Sequence, residues 1–168
     1  MNMKQMKTVA IAAMVGFFAL CWHTTSADTQ MDENGVVWTY TVKDGVATVG
    51  GGSYFSPAIS RSTTGDIIIP DTLGGCPVKA IAQCAFQQCG SIKSIVIPDS
   101  VTSIARSAFA YCTSMRKLKF GDGVTTINYG TGSQIIFAST SYTIFDNPFA
   151  GCSALVGIEF GMATSSVN

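Results

Sequence analysis

The chain has 168 residues, the size of one domain, with a formal net charge of zero and only 12% charged residues, about half the usual globular share. Its 17 glycines and abundant Ser and Thr describe a surface of turns and small polar residues. Without an excess of Lys and Arg there is no electrostatic case for nucleic acid or for an anionic membrane as partner.

Lys4 and Lys7 open the chain, an apolar run covers residues 8–22, and Thr25, Ser26 and Ala27 supply small residues before a cut. This is the three-part pattern of a secretory signal peptide over residues 1–27, cleaved after Ala27. The alternative is an uncleaved anchor, but a run of 15 residues is short for a span of about 20. Leu20 before Cys21 is too large for a lipobox. No later run is long enough to cross a bilayer, so the expectation is a secreted or cell-surface protein with no stable membrane span after cleavage. Cleavage leaves eight basic and ten acidic residues, which keeps nucleic acid out of the expected partners.

Residues 28–35 are polar and read as a loose terminus. Residues 36–49 read as a hairpin: Trp38, Tyr40 and Val42 alternate with Thr39 and Thr41, and Asp44 with Gly45 supplies the turn. This segment stands outside the repeat that follows. Residues 28–66 are therefore expected to cap it, with Trp38 and Tyr40 packed on the first repeat; an exposed aromatic binding strip is the alternative. Residues 50–65 have the composition of a loop, anchored by Tyr54 and Phe55.

From residue 67 to 161 the sequence matches itself. A shift of 23 places Ala85 and Phe86 on Ala108 and Phe109, Cys89 on Cys112, Ile92 on Met115, Ile95 on Leu118 and Ile97 on Phe120. Val78 and Ile81 fall on Val101 and Ile104, then on Val124 and Ile127. A further shift of 40, one period plus a 17-residue insertion, brings Phe109, Cys112, Met115, Leu118 and Phe120 onto Phe149, Cys152, Leu155, Ile158 and Phe160. Such a period predicts a solenoid of about three repeats, each burying a face on its neighbours. The first repeat carries a five-residue insertion around Gly74, Gly75, Cys76 and Pro77. Within a repeat, Ile95 and Ile97 point inward and Val96 outward. Ala108, Phe109, Cys112 and Met115 suit a short helical turn, and strands related by the repeat must be parallel.

The residues Ala85, Phe86, Cys89, Ile92, Ile95, Ile97, Pro98, Ser100, Val101 and Ile104 form a pattern that resembles the BspA-type leucine-rich repeat. The resemblance implies a β-rich α/β leucine-rich-repeat solenoid of short parallel strands and short helical turns. It also implies secreted or surface proteins, often adhesins that bind host matrix proteins or cells, with no catalysis in the repeats. Gly121 stands where the pattern has its turn proline, and the array is short.

Residues 128–144 are the insertion. In it 134–137 and 142–145 are expected to pair as a hairpin, either as a specificity element or as a tolerated loop. Residues 162–168 form a polar tail, and no distinct C-terminal cap is visible.

Few groups offer chemistry. Cys89, Cys112 and Cys152 share one repeat position, so they are expected to stack as buried free thiols, in columns beside Phe86, Phe109 and Phe149; a bridge within the column is the alternative. Cys76 and Cys84 are the better pair for a local bridge. The only histidine, His23, lies in the leader, which leaves no zinc set and no catalytic triad. Asp71, Asp99 and Asp122 form a second column, read as turn residues rather than calcium ligands. The glycine run 50–52 lacks the setting for phosphate binding. No enzyme, cofactor or metal is expected.

The outward strand positions align as Ile68, Val96, Lys119 and Glu159, flanked by Asp66, Ser94, Lys117 and Gly157, with Lys93 matched to Arg116. The expected partner-binding face is thus Lys93, Val96, Arg116, Lys117, Lys119 and Glu159, on which Lys119 and Glu159 attract by well under about 1 kcal/mol. The leading expectation is an exported, non-enzymatic recognition module, adhesin-like, that binds a protein or glycan through this face. The alternative is an assembly piece, or part of a longer array, that docks through its uncapped C-terminal end.

Overall fold

A strand that recurs every 23 residues meets its copies side by side and in the same direction, and the chain builds two ladders this way. The computed structural model describes residues 24–53, 56–128, 134–135 and 148–160. These hold the strands β1 (Thr24–Met31), β2 (Val37–Lys43), β3 (Val46–Val49), β4 (Gly65–Ile68), β5 (Thr72–Leu73), β6 (Cys76–Ile81), β7 (Ile92–Val96), β8 (Ser103–Ile104), β9 (Lys117–Phe120), β10 (Thr126–Asn128), β11 (Gln134–Ile135) and β12 (Gly157–Phe160). One sheet runs β4-β7-β9-β12, parallel throughout. In the other, β6, β8 and β10 are parallel and in register at Ile81, Ile104 and Ile127. That sheet continues through β3, β2 and β1 at one end and β11 at the other.

The 36–49 segment is a hairpin, with β2 and β3 antiparallel and Asp44 and Gly45 at φ 52° and 79°, the geometry of a two-residue turn with positive φ at both central positions. β3 then lies parallel to β6, so the hairpin is continuous with the repeat ladder. The insertion around Gly74 is a second small hairpin, β5 against β6, turned by Gly74 and Gly75 at φ 60° and 74°.

Two local expectations need correction. Residues 28–35 are not a loose terminus: β1 pairs antiparallel with β2 from Thr24 to Met31. Asp32 ties the turn that follows, accepting the backbone N–H of Asn34 and Val36 at 2.9 Å and the Trp38 indole N–H at 2.8 Å. Burial pushes the Asp32 carboxyl up, but these three donors outweigh it and hold its pKa below the ordinary value. Second, the expected helical turns are absent: the described residues contain no helix. The Phe86 and Phe109 segments are successions of i→i+3 turns, as in Gln87 N–H to Cys84 O and Cys89 N–H to Phe86 O. Positive φ at Cys84, Gln88, Ser107 and Tyr111 interrupts helical winding. The freed N–H groups bond the next repeat instead, Phe86 to Ala108 O at 2.7 Å and Gln88 to Ala110 O at 2.8 Å. Among the described residues the fold is strand-rich, with parallel sheets and no helix. β11 pairs with β10, Ile127 opposite Ile135; of the hairpin expected between 134–137 and 142–145, all but 134–135 falls outside the described residues, as do Tyr54, Phe55, the leader to residue 23 and the tail 162–168.

The core is a set of columns. Ile67, Ile95 and Leu118 are buried side by side between the ladders. Phe86 stacks on Phe109 with ring centroids 5.3 Å apart, and Phe109 stacks on Phe149 at 5.6 Å. Trp38 meets Phe86 edge-on at 6.2 Å and ends the column. The loop before β4 also enters the core through Ala58 and Ile59: Ala58 O accepts from Thr39 N–H and Ala58 N–H donates to Ala85 O, both at 2.6 Å. Asp99 Oδ1 accepts the Asp122 N–H one repeat on at 2.9 Å, so Asp99 ties its turn to the next one. A side chain on Gly121 would run into the Pro98–Asp99 backbone, which explains why the turn proline is missing there.

Candidate recognition surface

The outward face of β4, β7, β9 and β12 is built by strand alternation. In β9 Leu118 and Phe120 turn inward and Lys117 and Lys119 outward. Pairing brings the outward residues into two rows, Asp66, Ser94, Lys117 and Gly157, and Ile68, Val96, Lys119 and Glu159. Lys119 and Glu159 are direct cross-strand neighbours, and both are exposed. Ser94 Oγ donates to Asp66 Oδ1 at 2.6 Å, so that carboxylate is engaged within its own row.

Lys93 and Arg116 stand one repeat apart at the entrance to β7 and β9, held in register by Arg116 N–H to Lys93 O at 2.8 Å. Their side chains, with Thr113, Ser114 and Ala154, line an open groove of ≈ 460 Å³. Arg116 at the groove is followed directly by Lys117, the first residue of β9, so the groove borders the row that Lys117 occupies. Thr113, Ser114 and Ala154 escape sequence reasoning because the groove arises between repeats; their only signal is their place between the Cys and Met or Leu of the repeat pattern.

The cysteine column belongs to the core, with Cys152 packed against its edge. Cys89 and Cys112 are fully buried and Cys152 is half-buried, all as free thiols. Cys112 donates its S–H to Phe86 O and Cys152 to Phe109 O, each at 3.1 Å, so each thiol satisfies the carbonyl of the preceding repeat. Burial pushes the Cys89 thiol up to about 11, with a small opposing pull from Arg61. Cys112 is raised by its hydrogen bond to Cys152 and by burial, and the same bond lowers Cys152. Cys84 is also free, whereas Cys76 is disulfide-bonded. The local Cys76–Cys84 bridge is therefore not formed: Cys84 occupies a positive-φ turn position and keeps its buried thiol.

A family model of the BspA type leucine rich repeat region, built of six copies, matches residues 79–168. The crystal structure of the T. pallidum leucine rich repeat protein TpLRR is similar with a TM-score of 0.53 and 19% identity, over 83% of this chain and 50% of that one. The pneumococcal vaccine antigen PcpA is a weaker likeness, TM-score 0.39 and 16% identity, over 82% of this chain and 39% of that one. The chain thus spans about half the length of the TpLRR structure. No curated protein matches it significantly. The likeness to TpLRR is one of fold, a strand-rich leucine-rich-repeat architecture with parallel sheets. With the family model covering more than half of its length, the chain belongs to the BspA-type leucine-rich repeat family.

Proposed function

We propose that this protein is an exported, non-enzymatic recognition module, adhesin-like, whose leucine-rich-repeat solenoid binds a protein or glycan through the β4-β7-β9-β12 face. The observation that carries the reading is the register. Adjacent parallel strands place Lys117 and Lys119, Val96 and Glu159 in neighbouring rows on one outward surface, and Lys93 and Arg116 line the groove at its border. A surface of aligned rows suits an extended partner better than a small substrate. Family membership supports a binding role. Export is supported by the leader pattern of residues 1–27; cleavage after Ala27 would leave Asp28–Met31 of β1 still paired with β2. The test is to recover the chain from a secreting host, sequence its N-terminus, and screen it against matrix proteins and surface glycans. Specific retention that is lost when Lys93, Arg116, Lys117 and Lys119 become alanine is the expected result. Binding that ignores all four changes removes the face from consideration.

A second reading has one observation behind it. Val156, Ile158 and Phe160 at the last strand are 85%, 45% and 52% exposed, an apolar end that suits docking onto another chain. Sedimentation over a wide concentration range decides it, since a monomer throughout excludes self-assembly through that end.

A further inference from the structure

The groove between Lys93 and Arg116 has a chemical character of its own. Among the described residues its lining side chains are two cations, two hydroxyls and one methyl, with no carboxylate. All four polar side chains are exposed. Arg116 offers a planar fork of N–H donors, Lys93 a point charge, and Thr113 and Ser114 turn toward whichever acceptor arrives. This donor set fits a tetrahedral or planar oxyanion, which accepts several charge-assisted hydrogen bonds at once. Beyond the groove, Lys117 and Lys119 extend the positive charge along β9, Lys117 opposite Gly157 and Lys119 opposite Glu159 of β12, so Lys117 is the less opposed of the two. Their outward positions lie two residues apart, roughly 7 Å along a strand. Half of the eight Lys and Arg among the described residues therefore gather here, in a protein with no net charge to attract anions elsewhere.

Two features choose the kind of polyanion. β9, which carries the two lysines, is paired on both sides, with β7 and β12, so an acidic peptide cannot add as a strand beside it; β12, an edge of this sheet among the described residues, carries Glu159 and no cation. Among the described residues that line the groove, Ala154 is the only apolar side chain, too little to anchor peptide side chains. A sugar chain needs neither: its sulfate or carboxylate groups bind cations and hydroxyls, and successive groups can meet Arg116 just before β9 and Lys117 and Lys119 on it.

We infer that the Lys93–Arg116 groove and the β9 lysines form a binding site for a sulfated polysaccharide. The inference rests on the strand face being the recognition surface and names its ligand class. The test immobilises the full chain and measures binding of heparin, desulfated heparin and poly-glutamate at low and at physiological salt, beside the matrix-protein screen. Heparin should bind with an affinity that falls steeply with salt, and at least tenfold more tightly than the other two. Lys93→Ala/Arg116→Ala should weaken it tenfold or more. Both changes are on exposed side chains, and an unchanged melting curve confirms that the variant is folded. Poly-glutamate binding as tightly as heparin makes the site a peptide site and overturns the inference, as does heparin binding that the double variant leaves intact. If heparin fails to bind while a matrix protein is retained and then lost on the fourfold alanine change, the face stands and only the polysaccharide assignment falls. If neither is retained, both fall.

Discussion

At the scale of single residues, the cysteine column shows why a thiol suits its place. Phe86 O already accepts the Cys89 N–H at 3.1 Å, and the Cys112 thiol adds a second donor at 3.1 Å without bringing a strongly polar group into the core. The thiols nevertheless differ. Cys152 is the only half-buried member, and ionising it lets the Cys112 proton turn from Phe86 O toward the new thiolate, which lowers Cys152 and raises Cys112. A water-soluble disulfide reagent should therefore modify Cys152 first in the native protein. Cys89 and Cys112 should react only on unfolding, read as the stoichiometry of released chromophore in Cys152→Ala. The same asymmetry has a pH consequence. Cys89 keeps its proton to about 11 in the fold but has an ordinary value of 9.0, so above pH 9 the unfolded chain releases a proton that the folded chain retains. Its contribution to stability is complete below pH 9 and is lost as pH rises toward 11. Melting temperature should decline over that window, and Cys89→Ala should show a shallower decline than the parent.

At the scale of elements, the repeats are joined by turns so closely packed that some positions exclude any side chain. A Cβ on Gly123 would collide with Asp99 O and lie 2.9 Å from Val101 O. Both are backbone atoms that cannot swing away. Gly123→Ala should cost about 2 kcal/mol in denaturant unfolding. Gly151 differs: its φ of +72° is the left-handed conformation, and what a Cβ would meet is the Tyr111 ring at 2.6 Å, an exposed side chain that can move. Gly151→Ala should cost about 1 kcal/mol, and adding Tyr111→Ala should recover only the steric part. These turns also mark where sequence stopped being informative. The columns of Phe86, Phe109 and Phe149 and the pairing of Ile95 with Leu118 follow from the 23-residue period, because a buried position demands the same apolar kind in every repeat. The winding of the turns does not, since Gln88 and Tyr111 carry positive φ (63° and 60°) without being residues that advertise it. The strand β1 was hidden for another reason: from Ser26 to Met31 its side chains are exposed, so it leaves no apolar alternation, although Asp32, Asn34 and Gly35 do spell a turn. The two rows of the strand face were legible from the register alone. The groove was not, because Thr113 and Ser114 acquire meaning only beside Lys93 and Ala154 of neighbouring repeats.

At the scale of the whole molecule, the two ends of the aromatic column are unequal. Trp38 is fully buried, closes the column edge-on against Phe86 and is fixed by Asp32 through its indole N–H. At the other end Phe160 stacks on Phe120 with centroids 5.3 Å apart yet stays 52% exposed, with Ile158 beside it on β12 also exposed. Each repeat is held by its neighbours, so stability should fall from the closed end to the open one rather than being shared evenly. Trp38→Ala removes a buried indole and leaves the Asp32 carboxylate without that donor, and should cost about 3–5 kcal/mol. Phe160→Ala removes half-exposed stacking and should cost about 1 kcal/mol. Native-state hydrogen exchange reads the same gradient without mutation. Amides of β7 and β9, each paired on both sides, should exchange slowest. Those of β12, the edge strand with an exposed apolar face, should exchange fastest among the repeat strands. Equal protection of β12 and β9 in a monomeric sample would mean that the open end is covered by the chain itself. Protection of β12 that rises with protein concentration would mean that it is covered by a second copy.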